Sequence, residues 1–446
     1  VDDASARPGQ AALQQLIDGA DVGGVVMIPK GLYTTPVTIT RPMTLRGVSR
    51  EECVFEVTAD QPAVSINTKG QGEVTVENVT VRWQLATSGK VEQPYALAVR
   101  DANVLIRNCR FEPLGNYQRS PVAARIDGFS KATVDNCRFN RFEYTVCYGP
   151  GTEGVVQDCT IVDSGHQGVT NYEGAVLTVQ RCIVTGSKFH AVRCTGGTLN
   201  VRDNLLIHNA NRGIYLGNRS GRGSILNNLI LGNGTGISGF ARATYVIANN
   251  VIVDNSYAGI DMRDSCQLNI YNNVLVRNQR GIMLQKEGTR NYNVVSGNTY
   301  WANATDVENM DKPQRSITGD PQFADPNHGD FTLRGPARER GHGLTDPQVI
   351  EDLWKRYEQA QRQRTDQPVS PDRQSGEVVR ELPAGPSASG QSFIAPEAPG
   401  PIQQRIDAAA PGATVKLEPG VYKERLTIDK PLTLEGAGGE GLGPVG

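Results

Sequence analysis

Thr198–Asn218 reads TLNVRDNLLIHNANRGIYLGN, three short apolar stretches, LNV, LLI and GIYL, separated by turn residues. The first stretch precedes Asn204, the second follows it, and the third lies beyond a turn that ends in glycine. Strict alternation puts Leu199, Val201, Leu205, Ile207, Ile214 and Leu216 inside, and leaves Arg202, Leu206, His208 and Tyr215 facing out. Working outward from Asn204, one position recurs as Cys109, Cys137, Cys159, Cys182, Asn204, Asn228, Asn250, Asn273 and Asn298, at steps of 28, 22, 23, 22, 24, 22, 23 and 25 residues. A repeat of this length predicts a coil stacked on itself, with three parallel strands per coil. Strands one coil apart lie ~4.8 Å apart, so stacked asparagines can bond to the turn backbone and to one another up the column. A second column, Gly168, Ala191, Gly213, Gly236, Gly259 and Gly281, precedes the third strand, where a missing side chain is expected to permit a sharp turn.

The ends of such a coil need covers, because an open solenoid end exposes unpaired backbone and apolar core. Ala11–Gly47 opens with an amphipathic helix carrying Leu13, Leu16 and Ile17 on one face, the expected N-terminal lid. The same segment returns: Ile402–Gly436 aligns without gaps to Leu13–Gly47 at an offset of 389, with 15 identities in 35 positions. Residues 1–344 are therefore read as a β-helix with its cap. Asp346 and Pro347 open an amphipathic helix over 345–360, with Ile350, Leu353, Trp354 and Tyr357 as its stripe, able to cover the far end. Residues 361–400, rich in Pro, Ser, Gly and Gln, read as a flexible linker, and 401–446 as the start of a second, truncated β-helix.

The composition narrows the partners. With 45 basic and 47 acidic residues among 446, the chain has a net charge of −2, so nothing electrostatic favours nucleic acid. No run approaches the length of a membrane span. The chain starts at Val1 and reads as a fragment or processed form, so the absence of a signal segment says nothing about export. Four of the eight cysteines occupy the ladder register, where a small thiol packs, and no spacing suggests a metal site.

The opening turns PKGLY and EPGVY, coils such as NNVIVDNSYAGIDM at Asn249–Met262, and the closing DPQFADPNHGDFTL together resemble the pectate-lyase-like superfamily in its right-handed β-helix repeat branch. The resemblance implies an all-β fold, a right-handed parallel β-helix of about 22–24 residues per coil. Members include polysaccharide lyases, uronate epimerases, glycoside hydrolases and adhesins, so the motifs specify fold more than chemistry. The NTD signature of the β-helical polygalacturonases is absent and no DD pair lies in the coil region; their GHG occurs only at Gly341–Gly343, after the coils. The DPHE signature of mannuronan epimerases is also absent.

In lyase-like members, substrate lies along the third strands of the coils. The outward positions there form a column Cys147, Thr170, Arg193, Tyr215, Ser238, Asp261 and Met283, and two positions on come Tyr172, Thr195, Gly217, Phe240, Arg263 and Gln285. The turn before adds Glu143, Tyr144, His166, His190, Arg212 and Tyr257. Uronate lyases and epimerases need a cation on the carboxylate and a base for the C5 proton. Arg193 or Arg212 suits the first, His190 or His166 the second, and Tyr215 or Tyr172 can donate to the leaving oxygen or the opposite ring face. A histidine beside a turn can instead serve only as a hydrogen-bond donor to a carbonyl. Tyr257, Asp261 and Arg263 form a further polar cluster for substrate binding, or an Asp–Arg surface pair. The expected partner is a polysaccharide or cell-surface glycan, met by a monomeric, secreted, periplasmic or surface protein without cofactor or metal. The rival reading is a non-catalytic tandem solenoid acting as scaffold, adhesin or glycan-binding module.

Overall fold

The structure, a computed structural model, describes residues 10–86, 95–114, 121–217, 221–240, 242–263, 265–285, 293–311 and 313–365, and in the C-terminal part 405–406, 409–410, 412–417 and 432–436. In the first of two compact units, Val1–Val379, every third strand pairs in parallel with the next. This gives three sheets of 12, 13 and 12 strands. Sheet A runs from Val25–Ile28 to Val294–Ser296, sheet B from Gly31–Tyr33 to Ile317–Thr318, and sheet C from Val37–Ile39 to Thr305–Glu308. The chain is a parallel β-helix, as the ladder predicts.

The ladder works through its amides. Asn228 is fully buried; its Nδ2 lies 2.9 Å from the carbonyls of Val201 and Leu226 and from Asn250 Oδ1, and its Oδ1 accepts the Asn204 N–H at 3.0 Å. Asn204, Asn250 and Asn273 repeat the pattern. In earlier coils thiols take over, the Cys137 and Cys159 sulfurs accepting the N–H groups of Cys109 and Cys137 at 3.4 Å. All eight cysteines are free and buried. A second ladder, at the turn from sheet B to sheet C, comprises the buried Asn209, Asn233, Asn255 and Asn278 and the partly buried Asn303, each Oδ1 accepting the N–H one coil earlier at 3.0–3.1 Å.

The expected inside and outside hold on sheets A and C and reverse on sheet B. Leu199, Val201, Ile214 and Leu216 join the lumen core, but so does Leu206, while Leu205 and Ile207 belong to a separate apolar cluster. Asn204 itself takes an inward position, so the next residue points outward. From Ile183 to Val276 both faces of sheet B are consequently apolar, as for strands buried on two sides. The helix α3 (Pro347–Thr365), preceded by α1 (Gln10–Gly19) and the single turn α2 (Pro336–Glu339), supplies the outer cover. Ile350, Leu353, Trp354 and Tyr357 of α3 pack with Leu205, Ile207, Leu229 and Val251, and Arg356 reaches the Asp158 carbonyl at 2.8 Å. The helix thus lies along the flank of the solenoid instead of over its far end, and extends five residues beyond the expected limit of 360.

At the other end, α1 buries Leu13 and Ile17 and leaves Leu16 outside, and Gln14 brackets the Thr38 backbone at 2.9 and 3.0 Å. The glycine column sits within the sheet C strands, and its cause is close approach. A Cβ on Gly236 would stand 2.5 Å from the Gly259 carbonyl oxygen. In the second unit, Arg380–Gly446, strands Thr414–Leu417 and Thr433–Gly436 pair in parallel with the register of Val25–Ile28 on Thr44–Gly47, each number raised by 389 (414 − 25). The expected linker beyond Thr365 lies outside the described residues.

Replacing Asn228 by Ala takes the acceptor from the buried Asn204 N–H and a donor from the carbonyls of Val201 and Leu226, the second of which keeps the Asp203 N–H at 3.2 Å. At ~1–3 kcal/mol for each stranded group, Asn228→Ala is expected to lower unfolding free energy by about 3 kcal/mol, read from the urea midpoint at unchanged m.

Candidate functional site on the third sheet

The outward column from Cys147 to Met283 is a single in-register line, continued by Arg125 below and Glu308 above. The next outward column, from Tyr172 to Gln285, is tied by the same ladder, Thr195 donating to Asn171 and Arg263 to Gly239 at 2.9 Å. The turn column, however, is two columns. Tyr144, Gln167, His190 and Arg212 share one register, whereas His166 lies one residue earlier, in line with Glu143, Phe189 and Tyr257. Coils of unequal length caused the slip.

These two lines bring rings together. Tyr144, His166, Phe189, His190, Tyr215 and Phe240 follow one another with centroids 4.1–5.1 Å apart. His190 and Tyr215 are stacked at 4.8 Å with planes 3° apart. Guanidinium groups lie over the same rings: Arg212 at 5.4 Å and Arg193 at 6.0 Å from the Tyr215 centroid, and Arg263 at 4.9 Å from that of Phe240. Tyr215 is thus where His190, Arg193 and Arg212 converge. Phe189, absent from the sequence reading, joins the two histidines, and its signal was its place directly before His190.

The electrostatics differ from one arginine to the next. Arg212 donates to Ser238 Oγ and Asn211 Oδ1 at 2.9 Å. Arg263 pairs with Asp261 at 2.5 Å and Arg280 with Glu308 at 2.5 Å. Arg125 grips Asp127 at 2.7 and 2.8 Å and lies 4.8 Å above the Tyr172 ring, placing Tyr172 in a neighbouring cluster towards the earlier coils. Tyr257 supports Arg280 at 4.9 Å and bonds Met283 Sδ at 3.8 Å. Arg193 alone among these has no carboxylate, carbonyl or hydroxyl acceptor among the described residues.

Burial shapes the titratable groups. His190 is 2% exposed, its Nδ1 has no partner, and its pKa is pushed down to about 3 by burial and then by Arg212, Arg193 and His166. His166 is lowered by burial, with Glu143 opposing. Asp261 is fully buried, so the Asp261–Arg263 pair is no surface pair; burial raises its pKa against the pull of Arg263, and its Oδ1 has no partner. The GHG histidine, His342, is buried far from these groups in sequence and bonds Thr299 Oγ1 through Nδ1 at 2.8 Å, a structural tie of the closing segment.

The family described as right handed beta helix region matches residues 63–221 and 147–300, together more than half of the chain. The chain belongs to this family, and its fold is the right-handed parallel β-helix. No curated protein matches it significantly in sequence. Among solved structures it resembles the periplasmic alginate epimerase AlgG at 17% identity and TM-score 0.47, over 69% of this chain and 83% of that one. It resembles the PL6 family alginate lyase AlyGC at 15% and 0.44, over 96% and 66%. The A-module of the Azotobacter vinelandii mannuronan C-5 epimerase AlgE4 follows at 14% and 0.37, over 70% and 96%. These are likenesses of fold. Among the described residues, no helix is long and apolar enough to cross a membrane.

A histidine whose folded pKa, about 3, lies below its ordinary 6.5 takes up its proton first in the unfolded chain. Its contribution to stability is intact above pH 6.5 and falls away as the pH drops towards 3. The urea midpoint of the wild type is expected to fall between pH 6.5 and 4 more steeply than that of His190→Gln.

Proposed function

We propose that the sheet C face binds a uronate-containing polysaccharide and acts on it as a lyase or C5-epimerase. One observation carries the reading: Arg193, without an acceptor of its own, stands on a face of stacked rings beside the neutral imidazole of His190 and a second cation, Arg212. A sugar carboxylate on Arg193 and Arg212 supplies the missing counter-charge, and aromatic rings offer apolar faces to a pyranose. Neutralising the carboxylate acidifies the C5 proton. The same anion offsets two of the charges that depress His190, which raises its basicity as substrate binds. His190, or His166 one ring further along, then receives the C5 proton, and Tyr215 is placed to donate one. Loss of the O4 substituent gives lyase chemistry; return of a proton on the opposite face gives epimerisation. Arg263, Tyr257 and Tyr172 hold the neighbouring sugars, and the buried Asp261 positions Arg263.

The enclosure of His190 favours a second reading, capture of the glycan without turnover, as in a scaffold or adhesin. Both readings place the protein outside the cytoplasm, and both admit 401–446 as the opening of a second β-helix.

A panel of uronate polysaccharides separates them. Lyase activity gives an unsaturated product followed by ultraviolet absorbance, and epimerase activity gives solvent-deuterium incorporation at C5. His190→Ala and Arg193→Ala are each expected to lower kcat/KM on the order of 10²-fold or more, with unchanged circular dichroism, while Arg202→Ala on sheet A has no effect. Binding without either signal selects the scaffold; retained activity in both variants removes this site.

A further inference from the structure

A second set of turn residues climbs the corner between sheets A and B. Asn78, Asn108, Asn136, Asp158, Arg181, Asp203, Asn227, Asn249 and Asn272 all have φ between +47° and +61°. Their backbone N–H groups form one ladder, Asn108 donating to Asp135 at 3.0 Å and Asn272 to Gly297 at 2.8 Å. Asparagine and aspartate tolerate this left-handed conformation, which places each of these residues just before the inward ladder position with its side chain on the outer surface.

In the later coils the chain itself lies on this column. Asn227 Oδ1 accepts the backbone N–H of Thr345 at 2.7 Å and of Asp346 at 3.1 Å. Asn249 Nδ2 donates to the carbonyls of Gly341 at 2.8 Å and Gly343 at 3.0 Å, and the Gly343 N–H donates to the Asn272 carbonyl at 2.7 Å. Three successive coils therefore hold residues 341–346 through their main chain, with primary amides offering both donor and acceptor.

In the early coils the same column is open. Asn78, Asn108 and Asn136, with Arg46, Glu77, Arg107 and Asp135, line a groove of about 480 Å³. The amides here bond one another, Asn108 Nδ2 to Asn78 Oδ1 at 2.6 Å and Asn136 Nδ2 to Asn108 Oδ1 at 3.4 Å, with Arg50 donating to Asn108 Oδ1 at 3.4 Å. Among the described residues no main-chain group from elsewhere bonds to these side chains. The buried Glu77 carboxylate is shared by Arg46 and Arg107, which cancels most of the charge on the groove floor.

We propose that this groove is a binding site for an extended polypeptide segment, held by its main chain as residues 341–346 are held further along the same column, at Asn227, Asn249 and Asn272. The chemistry favours peptide over glycan: the lining offers amides that match peptide donors and acceptors, its charges are paired internally, and it has no aromatic ring. Three coils at ~4.8 Å span ~10 Å, the length of about three extended residues at ~3.3 Å each. The site lies on another corner from the sheet C face and stands independently of the function proposed there.

The probe is a fluorescein-labelled, C-terminally amidated peptide with the sequence of residues 339–347, titrated to millimolar against the whole protein and followed by anisotropy. Asn108→Gly with Asn136→Gly removes two amides while keeping residues that accept the left-handed backbone, and Asn249→Gly does the same where residues 341–346 sit. Saturable binding is expected, weakened at least tenfold by the double glycine variant and unchanged by Asn249→Gly. No saturable binding, binding indifferent to the double variant, or a change in Asn249→Gly alone (the peptide then merely displacing its own copy) overturns the proposal. So does competition by a uronate oligosaccharide.

Discussion

The structure depends on buried primary amides stacked one coil apart. Turning a chain every few residues strands main-chain groups that water cannot reach, and an unpaired buried group costs more than a paired one gains. Asn228 resolves this with a single side chain that accepts from the coil before, donates to one carbonyl of its own turn and one of the coil before, and meets the next amide above. Because each asparagine needs the next, the amide column sets the vertical register. Everything on the outside inherits that register, including the meeting of His190, Arg193 and Arg212 on the Tyr215 ring.

That dependence explains what was legible in the sequence. The ladder from Cys109 to Asn298 could be read because only a small residue with paired donor and acceptor, or a compact thiol, fits the inward turn. The column from Cys147 to Met283 followed by counting from it. Counting failed where a residue's direction is set by the ladder itself: Asn204 occupies an inward place, so Leu206 and not Leu205 enters the lumen. The same error hid the role of α3, since the apolar outer face of sheet B that it covers had been assigned to the interior. His166 and His190 looked equivalent because coils of 22 to 24 residues absorb an insertion in a turn without disturbing the strands. The second ladder, Asn209 to Asn303, had the same chemistry and a similar spacing, and was available to the same argument.

The candidate face shows how burial and charge divide labour among like residues. Arg263 and Arg280 carry their own carboxylates, Arg212 is bound by neutral oxygens, and Arg193 relies on a ring. An arginine paired within the protein contributes shape and rigidity, whereas one without a counter-ion keeps its charge available to a ligand. His190 gains the neutral form needed to take a proton at the expense of basicity, because burial and nearby cations both oppose protonation. Only an arriving anion can reverse the second of these without exposing the ring, so substrate charge and base strength are coupled on this face.

Asparagine also serves two opposite purposes a single residue apart. At Asn228 the helical turn directs the amide inward, where it is saturated by the chain's own carbonyls; at Asn227 a φ of +55° directs it outward, where residues 345 and 346 complete it. The inward amides must be filled for the fold to exist, which makes them indifferent to ligands. The outward amides are filled in the later coils only because α3 and the segment before it pass over them, and α3 reaches the coil of Asp158 at Arg356. Beyond that point the same geometry continues under Asn136, Asn108 and Asn78 with its polar groups turned to the groove. A repeating backbone therefore carries one recognition surface along its corner, of which part is used for closure and the remainder keeps the same chemistry.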